Sequence, residues 1–452
     1  MKLHPGHYVA IFGGAVSGAE AAEKLSRQGI YTVVFEQNAL PYGKIEDGLP
    51  KWHVKLRDKE EAKVDAKINH PYVKYVPCAA LGREIDFEQV VKEWGFSAVL
   101  LATGAWQDRP LPVEGVDEYV NKGLYYQNPL IYWYNHYHEP GFDGRQYEIP
   151  DETIIVGGGL ASVDVVKVVM METISRELRA RGHSVDMFEM EKRGPAHILE
   201  NLGLTMDDLG LKGCTLYYRR DAHYMPLNTI PEGADERRIE KAYSVRLRML
   251  SKLQNEFLFK YEGNCAPVDK IVENDRLTGL VFQKTEIVDG RVKMIPDAFV
   301  EAKSPLVISS IGSIPHEING VPMKWSRFNI EDETTGKFKD YDHVFALGNA
   351  VTGRGNIKES RKHGALVSDR LLEDHLAWSE PQFEAIVEAS EDAVAAQVAA
   401  INEKLQGFDL LTTAEIEAIN QRVAECQAHS GYNGDYEAWR EKHLPVRLEN
   451  MS

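Results

Sequence analysis

The chain repeats one local pattern: an apolar strand, a glycine turn and a helix. The first copy is YVAIFGGAVSGAEAAEKLSRQGIYTVVFE over residues 8–36, in which the apolar run Tyr8–Phe12 meets the turn and a second apolar strand ends on Glu36. Gly13 allows a tight turn and Gly18 lets the helix lie close to the strand. The unpaired N–H groups at the helix start suit a pyrophosphate. Glu36 falls 18 residues beyond Gly18, where a carboxylate accepts hydrogen bonds from ribose hydroxyls. The pattern departs from the usual one at Ala15, which brings a methyl group near the phosphates in place of the middle glycine. A plain strand–helix turn is the competing reading. The candidate residues are Gly13, Gly14, Ala15, Val16, Ser17, Gly18, Glu36 and Gln37.

The second copy is TIIVGGGLASVDVVKVV over residues 153–169, with Ala161-Ser162 in place of the third glycine. Two copies are more specific than one and imply two dinucleotides face to face, an arrangement used to pass hydride from a nicotinamide to a flavin. Gly157, Gly159, Leu160, Ala161 and Ser162 are the candidates here. Acidic Glu36 suits the free ribose of FAD at the first site. The strand after the second turn has two candidates. VDMFEME (185–191) would place acids there and favour NAD(H); CTLYYRR (214–220) would place Arg219 and Arg220 on a 2′-phosphate and favour NADP(H). Sequence alone leaves both open, with 192–213 as a following helix or part of an insertion.

At 452 residues the chain is too long for one ordinary core. Its net charge of −17 argues against nucleic acid or an anionic membrane as partner. The four cysteines, Cys78, Cys214, Cys265 and Cys426, have no CxxC spacing, which removes iron–sulfur, zinc-ribbon and redox-dithiol readings and leaves buried free thiols in a reducing compartment. No apolar run approaches the roughly 20 residues that span a bilayer, and no leader segment is visible. A cytoplasmic location is the expectation.

Several segments resemble adrenodoxin reductase-type ferredoxin–NADP reductases and, more distantly, glutamate synthase small subunits. They are LPYGKIEDGLPKWHVK (40–55, with His53 matching a family histidine), LIYWYNHYHEP (130–140), the arginines of YYRRD, ISSIGSIPHEINGVP (308–322) and HVFALGNAVTGRGNIKES (343–360). Lys51-Trp52 replaces the family's proline–aspartate pair. The matches run from about residue 8 to 376. The resemblance implies an α/β fold of two Rossmann-like, glutathione-reductase-type domains. FAD would be bound by 1–106 and 319–378, NAD(P) by the inserted 107–318, and 379–452 would form a C-terminal helical extension. Thr103 and Gly104 would close a strand beside the flavin. Gly348 and Asn349 stand where many flavoproteins have Gly-Asp and this family Gly-Trp, and Gly355, Asn356 and Ile357 would offer N–H groups to the flavin edge. A helix over 358–376 would aim its positive end at the cofactor.

Other features have plainer readings. NHYHE (135–139) lacks a second cluster at ligand spacing and predicts no metal. His223 reads as surface or adenine-adjacent. Arg354, Lys358, Arg361 and Lys362 read as a solvated helix face or a docking patch for an acidic carrier. No general acid–base group stands out, which suits hydride transfer. The expectation is an enzyme: an FAD-dependent NADPH oxidoreductase passing single electrons to a ferredoxin-like acidic carrier. The alternatives are a reductase subunit beside an iron–sulfur partner, which would lack the cysteine-rich N-terminal domain of glutamate synthase small subunits, and a flavin-bearing structural or sensor protein of little turnover.

Overall fold

The computed structural model describes residues 6–228, 230, 233–331, 334–348, 351 and 380–451. Two five-stranded parallel sheets organise them. In the first, β1 (Tyr8–Phe12) lies between β2 (Tyr31–Phe35) and β4 (Ala98–Leu101), with β3 (Val73–Val76) and β17 (Val344–Ala346) at the edges. Its central strands β1 and β4 are apolar throughout because both faces are covered. Val9 and Ile11 pack into one core with Leu25 of the following helix, while Tyr8, Ala10 and Phe12 pack into another with Val99 and Leu101. Each fully buried aliphatic or aromatic side chain of this kind contributes about 1.5–3 kcal/mol.

The second sheet is built from segments that leave the chain after β4 and rejoin it before β17. Its order is β6 (Leu124–Tyr126), β13 (Val307–Ser310), β7 (Ile154–Gly157), β8 (Thr215–Tyr217) and β9 (Lys260–Glu262). The helix Leu160–Ala180 covers one face. An antiparallel meander, β10 (Cys265–Glu273), β11 (Arg276–Val288) and β12 (Arg291–Lys303), covers the other, with Phe282 stacked on Tyr217 at 4.0 Å. The two crossings between the sheets pair with each other as a short antiparallel ladder, β5 (Gln107–Asp108) with β14 (Ser313–Ile314).

The strand beside β7 is CTLYYRR: Thr215–Tyr217 runs parallel to Ile154–Val156. VDMFEME is not a strand. Asp186 accepts a hydrogen bond from Glu189 N and caps a helix over Met187–Arg193, so its alternation loses to a local cap. Residues 192–213 continue as helices Pro195–Leu202 and Met206–Leu209. The C-terminal residues form helices Glu380–Leu405, Thr413–Ser430 with the expected Thr412/Glu415 capping box, and Tyr436–His443. The first packs along the helix Val16–Ser26 and the second against β3. One expectation needs correcting. Cys214 and Cys265 are buried, but Cys78 is exposed and Cys426 only half-buried, because Cys78 lies past the end of β3 with a left-handed φ of 55°. Among the described residues no helix is long and apolar enough to cross a membrane.

Candidate functional site

The two glycine turns open on one cleft of about 2390 Å³, bounded by described residues of both sheets. The first turn is held by its own backbone. Gly13 has φ 101°, and a Cβ on Gly18 would sit 1.8 Å from the Gly13 carbonyl oxygen, so only glycine fits there. Gly13, Ala15, Val16 and Ser17 line the cleft, as do Glu36, Gln37, Thr103 and Gly104. Gly14 is buried below. Its N–H donates to Glu36 Oε2 at 2.8 Å, and Asn38 N–H donates to Oε1 at 3.0 Å. Burial pushes the Glu36 carboxyl up to about 7 against the pull of these N–H bonds. Gly348, with φ 60°, closes over the turn, since a Cβ there would lie 2.1 Å from Ser17 Oγ. Asn349, Gly355, Asn356 and Ile357 lie outside the described residues, as do Arg354, Lys358, Arg361 and Lys362.

The second turn is held by a side chain. Ser162 Oγ donates to the Ser310 carbonyl at 2.9 Å and stitches the helix to β13. Gly157 must be glycine, because its Cβ would meet Ser162 Oγ at 2.1 Å and the Ser310 carbonyl at 2.4 Å; Gly159 faces open space. Gly157, Gly159, Leu160, Ala161 and Ser162 line the cleft together with Arg219 and Arg220. Neither guanidinium has an ion pair among the described residues, and the buried Arg220 Nε has no hydrogen-bond partner. His223, half-buried, holds Asp221 through Nδ1 at 2.5 Å and packs against Tyr224 and Tyr243.

Three histidines near the junction serve packing and ion pairs. His53 lies behind the cleft wall. Its Nε2 accepts from Trp52 Nε1 at 2.9 Å, and burial, with Lys167 nearby, pushes it down to about 3. His136 lies between Glu139 at 2.6 Å and Asp47 at 3.1 Å. Burial pulls it down, but those two carboxylates outweigh burial and raise it to about 9. His138 Nε2 approaches the Val446 carbonyl at 3.2 Å.

Sequence reasoning missed two parts of the wall. Lys44, Trp106, Asn128, Ser313 and His316 line the waist between the turns, and Phe383, Ile386 and Gln397 of the helix Glu380–Leu405 line the first turn. Neither carries a motif. The nearest signal was the Ala-rich periodicity of 384–405, which gives a helix but not its docking site.

The fit to two dinucleotides rests on the turns themselves. Each offers a helix N-terminus beside a glycine that no Cβ could replace, and both face one cleft. Similarity to known proteins agrees. Over 214 residues the chain is 28% identical to the glutamate synthase [NADPH] small chain of Bacillus subtilis, covering 44% of this chain and 38% of that one. It is 23% identical over 340 residues to a probable ferredoxin/ferredoxin–NADP reductase of Mycobacterium leprae, covering 70% and 55%. The chain thus spans about half or less of the curated relatives it matches. Among solved structures, FprA of Mycobacterium tuberculosis in complex with NADPH superposes with a TM-score of 0.63 at 15% identity, over 93% of this chain and 90% of that one. The chain has the FprA fold. No protein-family model matches it.

Proposed function

We propose that the chain is an NADPH-dependent flavoprotein reductase. FAD would be bound at the first turn by 1–106 and 319–378, and NADPH at the second by 107–318. The observation that carries this reading is the pair Arg219 and Arg220. They lie two and three residues past the strand next to the second turn, line the cleft both turns share, and have no carboxylate partner among the described residues. A 2′-phosphate supplies the charge they lack, and guanidinium binds it in bidentate fashion. Glu36, at the equivalent strand end of the first sheet, suits an unphosphorylated ribose. Its carboxylate also fixes the turn by accepting from Gly14 N–H.

A flavin held there would supply the chemistry that turns the two electrons of one hydride into single electrons. The chain's own part is alignment: the turns anchor two pyrophosphates so that the reactive rings meet at the waist, which supplies most of the rate for a step needing no proton relay. The onward acceptor we infer is a ferredoxin-like iron–sulfur protein, as the name of the mycobacterial relative suggests. The likeness to a glutamate synthase small chain favours a second form of the same reading, in which an iron–sulfur partner subunit takes the electrons.

Anaerobic bleaching of the purified flavoprotein by NADPH and by NADH tests the reading. Fast bleaching by NADPH alone, with the preference erased in Arg220→Ala, is the expected result. Equal or faster bleaching by NADH overturns the role of the arginines. Bleaching by neither overturns the reductase.

A further inference from the structure

One side chain sits between the two turns. Gly43, with φ 52°, is pressed against the first turn, where its Cβ would lie 2.9 Å from that of Ala15. Lys44 therefore starts beside the first turn. Its Nζ donates to Asn128 Oδ1 at 3.2 Å and Ser313 Oγ at 3.1 Å, and lies 5.6 Å from the centroid of Trp106. Asn128 Nδ2 in turn donates to Ser313 Oγ at 3.0 Å and to the Trp106 carbonyl at 2.9 Å. The neighbour of Asn128, Gln127, accepts from Ser310 Oγ, and the Ser310 carbonyl accepts from Ser162 of the second turn. One ammonium thus sits at the waist of the cleft, on the ladder where the chain crosses between sheets.

Its direct partners are neutral. No ion pair to Lys44 is present among the described residues; Asp108 acts on it only through space, and His316, which burial and Lys44 together push down, faces it as a neutral ring. A half-buried ammonium whose carboxylate neighbour is not paired with it is costly, and such groups cluster where an anion is bound or made. Burial pushes Lys44 down to about 8 against the pull of Asp108, so it is charged at neutral pH and loses its charge in mild alkali.

We propose that Lys44 is the counter-charge for the reduced flavin. The inference rests on the FAD–NADPH reading above. Hydride transfer moves two electrons and one proton from the nicotinamide, leaving that ring one unit more positive and the flavin one unit more negative. No further proton is needed, and the ammonium at the waist opposes the charge that remains. Lys44 therefore sets how readily the bound flavin accepts electrons, separately from how tightly it is held.

The test is a dye-coupled anaerobic redox titration of the flavin-loaded wild type, Lys44→Met and Lys44→Arg. Lys44→Met is expected to shift the oxidised-to-reduced equilibrium ten- to a hundredfold toward oxidised flavin, about 30–60 mV for a two-electron couple, and Lys44→Arg to restore most of it. In the wild type itself the potential should fall more steeply with pH above about 8, where reduction takes up a second proton on the lysine. This readout does not depend on the variants folding. Two results overturn the proposal: an unchanged potential in flavin-replete Lys44→Met with no steepening in the wild type, or loss of flavin from Lys44→Met while the remaining bound flavin keeps the wild-type potential, which would assign the lysine to a phosphate. A wild type that binds no flavin overturns the parent reading instead.

Discussion

The two glycine turns share a plan and differ in how they are fixed. The first closes on backbone: Gly18 lies under the Gly13 carbonyl, and the Glu36 carboxylate accepts from the turn's own Gly14 N–H. The second closes on a hydroxyl, Ser162 Oγ to the Ser310 carbonyl, and the two arginines just past the neighbouring strand have no ion pair among the described residues. A carboxylate consumed by its own turn is part of the scaffold as well as of the pocket. A guanidinium with no ion pair among the described residues stays available to a ligand. On the proposed reading, the first site is the stiffer and the second carries the selectivity.

The largest expected break in this comparison is Gly18→Val. The new side chain would collide with backbone, an overpacking cost of about 3 kcal/mol or more, visible as a lowered melting temperature and loss of bound flavin, whereas Ser162→Ala at the equivalent position of the second turn should leave folding intact. Arg220→Ala should come next. Removing a charge-assisted contact of about 1.5–3 kcal/mol should raise KM for NADPH roughly ten- to a hundredfold and leave KM for NADH unchanged, as steady-state kinetics with each nucleotide would show.

A third prediction concerns the junction between the halves. The folded-state value of His136, about 9, lies above the unfolded value near 6.5. Its stabilisation is therefore full below pH ~6.5 and is lost as pH rises through about 9, by up to about 3 kcal/mol. Urea unfolding at pH 6.5 and 9.5 should show that loss in the wild type and a flatter profile in His136→Gln. The smallest effect should be Gly159→Ala. A Cβ there meets nothing within 4 Å, and Ala15 already occupies the matching place in the first turn. Stability should change by about 1 kcal/mol or less, the cost of losing a glycine cap, measured by thermal unfolding.

What could be read in the sequence was local. Strand, turn and helix are contiguous at both sites, so Gly13, Gly18, Glu36 and Gly157 were legible from spacing. The strand after the second turn was ambiguous because VDMFEME carries both β-prone residues and a helix cap at Asp186, and only packing of Leu216 and Tyr217 against the sheet decides it. The waist was not legible at all. Lys44 meets Asn128 and Ser313 across 84 and 269 residues, and no local pattern encodes a contact made by two crossings of the chain. The tail failed for the same reason. Its helices follow from composition and capping, but Gln397 donating nothing to a motif gave no hint that its Oε1 accepts from Gly348 N–H at 3.3 Å.

That last contact has a consequence for how the protein is made. The first turn is translated early and the helix that walls it, Glu380–Leu405, long afterwards. While the ribosome is still extending the chain, the turn is open to small molecules from the side that the helix later covers. In the finished chain that helix is part of the wall, so the first turn's surroundings are complete only once residues 380–405 have been made.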